Sequence, residues 1–320
     1  MKYLEGLEAW DVTDEVRAIR QEMGIDGEAE SGGQNYTIYH PRVLVFENGA
    51  GYDGYAANGL KQTIRDNSSP KITVSSGNTP IAIYGLLTNE AIADESLRKG
   101  LGRTTFYALD EVWPAGNMPS VSYATYYDEN LVRPMGLDAE QVVIFDGWTT
   151  NPEGEVKRVD DILRDNPRHF GLIGIGPDER VLADGTALPA SDHMAFVPKG
   201  TPLEARSGAV DVDLTTRYVN GNGNPGNFPF DRSMTQGPAN IVFENDRNFF
   251  GGKGDRKKIN LAERVLFVKP NPNNPASQIT FGKNVTVGMD IPAAELVLAR
   301  IEDRSRQIFP VAQIAQPTYT

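Results

Sequence analysis

The stretch KITVSSGNTPIAIYGLL, residues 71–87, decides how the chain is read. Ile72 and Val74 alternate with polar residues as in a strand. The run Ser75-Ser76-Gly77-Asn78-Thr79-Pro80 stops that alternation, and apolar residues recur at helical spacing from Ile81. A strand that passes through a glycine turn into a helix sets free N–H groups beside the positive end of the helix dipole. Such a turn can cradle an anion. Ser76 and Thr79 would add hydroxyls, and Pro80 suits the first helical turn. The plainer alternative is that Thr79 merely caps the helix while Gly77 permits the turn.

Outward from this stretch the same alternation repeats. RVLVF (Arg42 to Phe46) reads as a strand, followed by a helix over Tyr55–Asp66, and a further helix spans Thr79–Asn89. RTTFYALDEVW reads as one strand ending on Asp110 and Glu111, SYATYYDENLVRPMG as a helix, and QVVIFDG as a strand. RHFGLIGIGPD is a strand running into a glycine turn that delivers Asp178. QITFGKNVTVGMDIPAAELVLARI reads as strand, turn and helix. The expected fold class is α/β, an open and mostly parallel sheet with helices on both faces. Residues 1–35 read as an N-terminal extension with a helix over Thr13–Met23, and residues 36–320 as a single domain. Gly, Asn and Pro dominate 220–269, which reads as an irregular insertion.

The 320 residues carry a formal net charge of −12, with a sequence pI near 4.8. That balance disfavours a nucleic-acid partner. A small anion remains compatible, since local amides and one Arg can hold it against the overall field. There is no Cys, which excludes disulfides, thiolate zinc sites and a Cys nucleophile. Three scattered His give no metal-ligand spacing, so no metal is expected. The full G-x-G-x-x-G fingerprint and the P-loop pattern are both missing, so neither a dinucleotide nor another cofactor is expected. The opening MKYLEGLEAWDV lacks the apolar core of a signal peptide, and no apolar run has the length of a membrane span. A cytoplasmic protein with no membrane partner is expected, and a homo-oligomer is compatible with it.

In an open α/β sheet, ligands bind outside the carboxyl ends of the strands. The turn at Ser76–Thr79, the acids Asp110 and Glu111, and Asp178 all fall at such ends, so one crevice is expected to gather them. A lone acid there can equally be a helix cap. His193, in DHMAFVPKGTP, reads by itself as a packed or surface histidine.

The order SSGNTP, ALDEVWP, SYATYYDENLVRPMGLDAEQVVIFDG, GLIGIGPD, DHMAFVPKGTP, GAVDVDLTTRYVN and QITFGKNVTVGMDIPAAELVL resembles the glucosamine-6-phosphate deaminase (isomerase) and 6-phosphogluconolactonase family over roughly residues 40–300. The resemblance implies a Rossmann-like fold of the sugar-phosphate isomerase type. It implies that Ser76, Gly77, Asn78 and Thr79 cradle a sugar phosphate, with Arg217 as a second phosphate ligand. It makes Asp110 the carboxylate that moves a proton between C2 and C1 of an open-chain sugar. It makes His193 the ring-opening acid/base, and Asp178 a positioning acid for that His.

Departures accompany the match. ERVLADGTALPAS separates Asp178 from Asp192-His193, so either Asp is an eligible partner for the His. Pro198 stands where the deaminases carry a Glu. The family's Lys before a late A-L-T-x-G strand falls at Ala276 or Ser277, with Lys283 or Lys269 as substitutes. Three readings follow: a deaminase or isomerase of an amino-sugar or hexose 6-phosphate, a 6-phosphogluconolactonase-like hydrolase, and a non-catalytic sugar-phosphate-binding protein.

Overall fold

The computed structural model describes residues 1–116, 118–254 and 264–308. Its centre is a nine-stranded sheet. The order across it is Lys2–Leu4, Ala9–Asp11, Arg42–Phe46, Val285–Asp290, Asn248–Gly252, Phe170–Gly174, Lys71–Val74, Thr105–Ala108 and Val142–Val143. From Arg42–Phe46 onward neighbouring strands are parallel; the first two pair antiparallel. Short runs such as Val43-Leu44-Val45-Phe46, buried throughout, are what a sheet covered on both faces requires. One apolar cluster packs Val16, Ile19, Ala294 and Val297 against one face. A second packs Tyr52, Leu60, Ile83 and Leu87 against the other. The architecture is therefore the open α/β sheet read from the sequence.

Chain order fixes where a crevice opens. From Lys71–Val74 the chain builds outward through Thr105–Ala108 to Val142–Val143. It then returns to add Phe170–Gly174 on the opposite side of Lys71–Val74. Strand order reverses between these two neighbours, which is where open α/β sheets bind ligands.

Four local readings are corrected. The expected strand 103–113 is two strands: Thr105–Ala108 in the main sheet and Asp110–Trp113 in a three-stranded sheet with Arg232–Thr235 and Gly208–Asp211. Leu109 is the pivot, because its N–H donates to Val74 while its carbonyl accepts from Gln236. The region expected to be an irregular insertion contains Asn248–Gly252, a fully buried inner strand of the main sheet, as well as Arg232–Thr235 and the helix Pro238–Phe243. Gly and Asn masked it, because small residues there serve close packing rather than a turn. Residues 255–263 of that region lie outside the described residues. Gln278–Phe281 is the end of a 3-10 helix, Pro275–Phe281, and the strand begins only at Val285. The N-terminal stretch contributes the helix Thr13–Glu22 and also two strands that extend the sheet edge.

Gly251 and Gly288 face each other in the register of the two inner strands. A Cβ at Gly251 would lie 2.2 Å from the Gly288 carbonyl oxygen and 3.0 Å from the Tyr52 ring. Backbone cannot yield there as a flexible side chain would. Gly251→Ala should cost about 2 kcal/mol or more of stability, read as a lowered urea midpoint with an unchanged slope.

Candidate functional site

The carbonyls of the turn after Lys71–Val74 are bound from within the fold. Three tyrosine hydroxyls bind its carbonyls: Tyr127 to Val74 (2.9 Å), Tyr84 to Ser75 (2.6 Å) and Tyr126 to Gly77 (2.7 Å). Gly77 sits at φ 85°, a conformation L side chains rarely adopt. The following helix, Ile81–Ala93, starts after Pro80, which has no side chain able to cap it. Thr79 does not occupy the cap position, so the simple capping alternative fails. The first turn keeps its donors and its positive end for another acceptor. Gly77 and Asn78 are exposed, while Ser76 and Thr79 are half-buried.

Asp110 opens the strand that leaves the main sheet beside this turn. It is buried, and its Oδ1 accepts hydrogen bonds from Thr235 Oγ1 (2.6 Å) and the Phe196 N–H (3.2 Å). Burial pushes its pKa up to about 7, with the neighbouring Glu111 adding to the rise and the two donors opposing it. Glu111 is equally buried but has a different task. It accepts from the N–H groups of Val112, Tyr123 and Ala124 and from Ser122 Oγ. It thus anchors the start of the helix that carries Tyr123, Tyr126 and Tyr127. Burial raises its pKa to about 7 against those four donors.

Tyr123 ties the turn to the next element. Its hydroxyl lies close enough to the Ser76 side chain to interact with it. Its ring stacks on Phe196 with centroids 6.1 Å apart, and Phe196 lies 5.5 Å from the His193 ring. The structure therefore brings Ser76, Asp110 and His193 together around one aromatic pair. His193 lies over Gly176, where a Cβ would come within 2.8 Å of the imidazole. Only glycine leaves room for the ring at that turn.

His193 Nε2 lies 2.8 Å from Thr216 Oγ1, and Thr216 Oγ1 donates to Asp213 Oδ2 at 2.8 Å. A hydroxyl has one proton, so Thr216 accepts from His193, which assigns the proton to Nε2. Asp213 also accepts from Ser191 Oγ and caps the helix Leu214–Asn220 through the Thr216 N–H. Its pKa lies below the usual carboxylate range; burial pushes it up, but the His193 charge and its donors outweigh that. Arg217 follows Thr216 on that helix, with its Nε buried and without a hydrogen-bond partner among the described residues.

Asp178 and Asp192 converge on Arg264. One guanidinium nitrogen meets Asp178 Oδ1 at 2.9 Å and the other meets Asp192 Oδ1 at 3.2 Å. The segment separating Asp178 from His193 carries a small hairpin, Arg180–Val181 with Ala187–Leu188. It leaves Ile175 and Met194 bridged, so Gly176 and His193 remain adjacent despite the added chain. S-M-T-Q-G (Ser233 to Gly237), on and after the strand Arg232–Thr235, also follows the A-L-T-x-G pattern. Arg232 stands before it, with its guanidinium 4.6 Å from the Trp113 ring centre.

No family model matches the chain. The glucosamine-6-phosphate deaminase of Bacillus cereus is 24% identical over 261 residues, covering 80% of this chain and 88% of the relative. Among solved structures, a monomeric glucosamine-6-phosphate deaminase, called a missing link of the NagB superfamily, superposes with a TM-score of 0.70 at 21% identity, over 79% of this chain and 99% of its own. The chain therefore has the fold of that deaminase. The 6-phosphogluconolactonase of Trypanosoma brucei shares the fold with a TM-score of 0.58 at 16% identity, over 81% of this chain and 99% of its own. Among the described residues no cluster of His, Asp and Glu could hold a metal ion, and no helix is long and apolar enough to cross a membrane.

Asp110 carries a folded-state pKa above its unfolded value, so the folded protein holds the proton more tightly. Stability is then highest below the unfolded value near 4 and falls as pH rises toward 7. Asp110→Asn keeps an acceptor for Thr235 and Phe196 but cannot ionise. It should be more stable than the wild type by about 1–3 kcal/mol at pH 8, with the difference shrinking toward pH 5. Urea unfolding at the two pH values measures this.

Proposed function

We propose that this protein is a member of the NagB superfamily, an enzyme that binds a hexose or amino-sugar 6-phosphate in the crevice and moves a proton between C2 and C1. The phosphate would sit on Ser76, Gly77, Asn78 and Thr79 at the uncapped helix start, with Arg217 as the second ligand. Asp110 would take the C2 proton as a carboxylate and return it to C1, converting aldose to ketose. Where C2 carries an amine, the same transfer leaves an imine there, which water cleaves to ketone and ammonia. His193 would exchange the ring-oxygen proton during ring opening.

The observation that carries this reading is the state of Asp110: a buried carboxyl whose pKa burial pushes up to about 7, next to a turn that leads into a helix start with no side-chain cap. General bases work best when their pKa lies near the working pH. The Asp213–Thr216–His193 chain favours catalysis over mere binding. It supplies a carboxylate to the histidine from a helix cap, where the Glu of the deaminases is replaced by Pro198.

Turnover of glucosamine 6-phosphate and fructose 6-phosphate, followed by ammonia release and by aldose–ketose interconversion, tests the proposal. Asp110→Asn should lower kcat by at least about 100-fold with a small change in KM. Because the base acts ionised, wild-type kcat/KM should fall about tenfold per pH unit below pH 7. Full activity in Asp110→Asn, or turnover confined to 6-phosphogluconolactone, would overturn it.

A further inference from the structure

A second cavity of about 660 Å³ lies at the opposite edge of the main sheet. Its walls include Phe170, Asn248, Val285 and Arg42, which sit at the starts of four adjacent parallel strands. The crevice holding Asp110 and His193 lies beyond the strand ends, so the two sites are separated by the length of the strands.

The charge of this cavity is opposite to that of the chain. Arg42, Arg247 and Lys283 line it, and none of its walls is a carboxylate among the described residues, although the chain carries a net charge of −12. Arg42 is the most compensated, with Nε 3.1 Å from Asp11. Arg247 and Lys283 have no ion pair among the described residues. Arg247 is nonetheless fixed, since it donates to Thr63 Oγ1 at 3.1 Å and lies 6.0 Å from the Phe170 ring centre. Beside the cations lie the rings of Tyr55 and Phe170 and the amides of Asn58 and Gln62. Cations in an aromatic and amide-lined cavity match a small organic anion with a polar body.

We propose that this cavity is a second binding site for an organic phosphate monoester, with Arg247 and Lys283 as the phosphate ligands and Tyr55 beside the body of the molecule. A guanidinium held in place by Thr63 suits a phosphate fork, and Lys283 adds a point charge. Two cations without an ion-pair partner among the described residues, in a concave wall, concentrate the field there despite the acidic surface elsewhere. The site is independent of the catalytic reading, since it shares no side chain with the crevice.

Amide NMR of the full chain tests the assignment, with inorganic phosphate, fructose 6-phosphate and adenosine monophosphate as probes. At least one of the two esters should give saturable shifts at Gly59, Asn284 and Thr286, with an affinity in or below the millimolar range, about −4 kcal/mol. Lys283→Glu and Arg247→Ala should each weaken that response by about tenfold or more and leave shifts at Gly77 and Asn78 in place. Comparing the two esters identifies whether a sugar or a nucleoside forms the body, and a weaker response to inorganic phosphate shows that the body contributes. Absence of saturable shifts with all three probes, or shifts unchanged in both variants, would overturn the proposal.

Discussion

The pairing of Asp110 with Thr235 is the contact on which the arrangement of the site depends. It draws the chain out of the main sheet at Leu109 and starts the three-stranded sheet. The same pairing places Thr235 Oγ1 2.6 Å from the Asp110 carboxyl and brings the Phe196 N–H to that carboxyl. Phe196 then links His193 to Tyr123, and Tyr123 links back to Ser76. Residues far apart in the chain thus meet because a strand changes sheets at one residue. A buried carboxyl costs stability once ionised, and the two donors only partly offset that cost. Such a local cost is what the base role proposed for Asp110 requires.

The acids of the crevice divide by environment rather than by type. Asp110 is deeply buried, so its proton is held to near neutrality although two donors oppose this. Glu111, next in sequence, is committed to four donors at the start of a helix and organises the tyrosines behind the turn at Ser76–Thr79. Asp213 remains ionised because Thr216, Ser191 and His193 surround it. Asp178 and Asp192 neutralise Arg264, which also binds the carbonyls of Gly176 and Pro177. That fork braces the turn over which His193 lies.

The sheet was legible because its strands are short apolar runs separated by helical periods, as at Arg42–Phe46 and Lys71–Val74. Asn248–Gly252 escaped because NFFGG sits among Gly and Asn, where composition suggests a loop and only tertiary packing reveals a strand. Asp110 and His193 could be named from strand-end position and family pattern. The role of Asp213 could not, since its contact with His193 runs through Thr216 across chain segments more than twenty residues apart. Its D-L-T-T context carried a capping signal, and that cap is what aims the carboxylate. The break at Leu109 had no local signal at all, because the partner strand that causes it lies at Arg232–Thr235.

The most direct measurement is proton exchange at the substrate carbon. The protein would be incubated with fructose 6-phosphate and glucosamine 6-phosphate in heavy water, and deuterium at C1 and C2 followed by NMR. Transfer through a carboxylate that equilibrates with solvent puts deuterium at those carbons in the wild type and almost none in Asp110→Asn. Tight binding of either sugar phosphate with no deuterium incorporation would contradict the account and leave the crevice a binding site without proton-transfer chemistry.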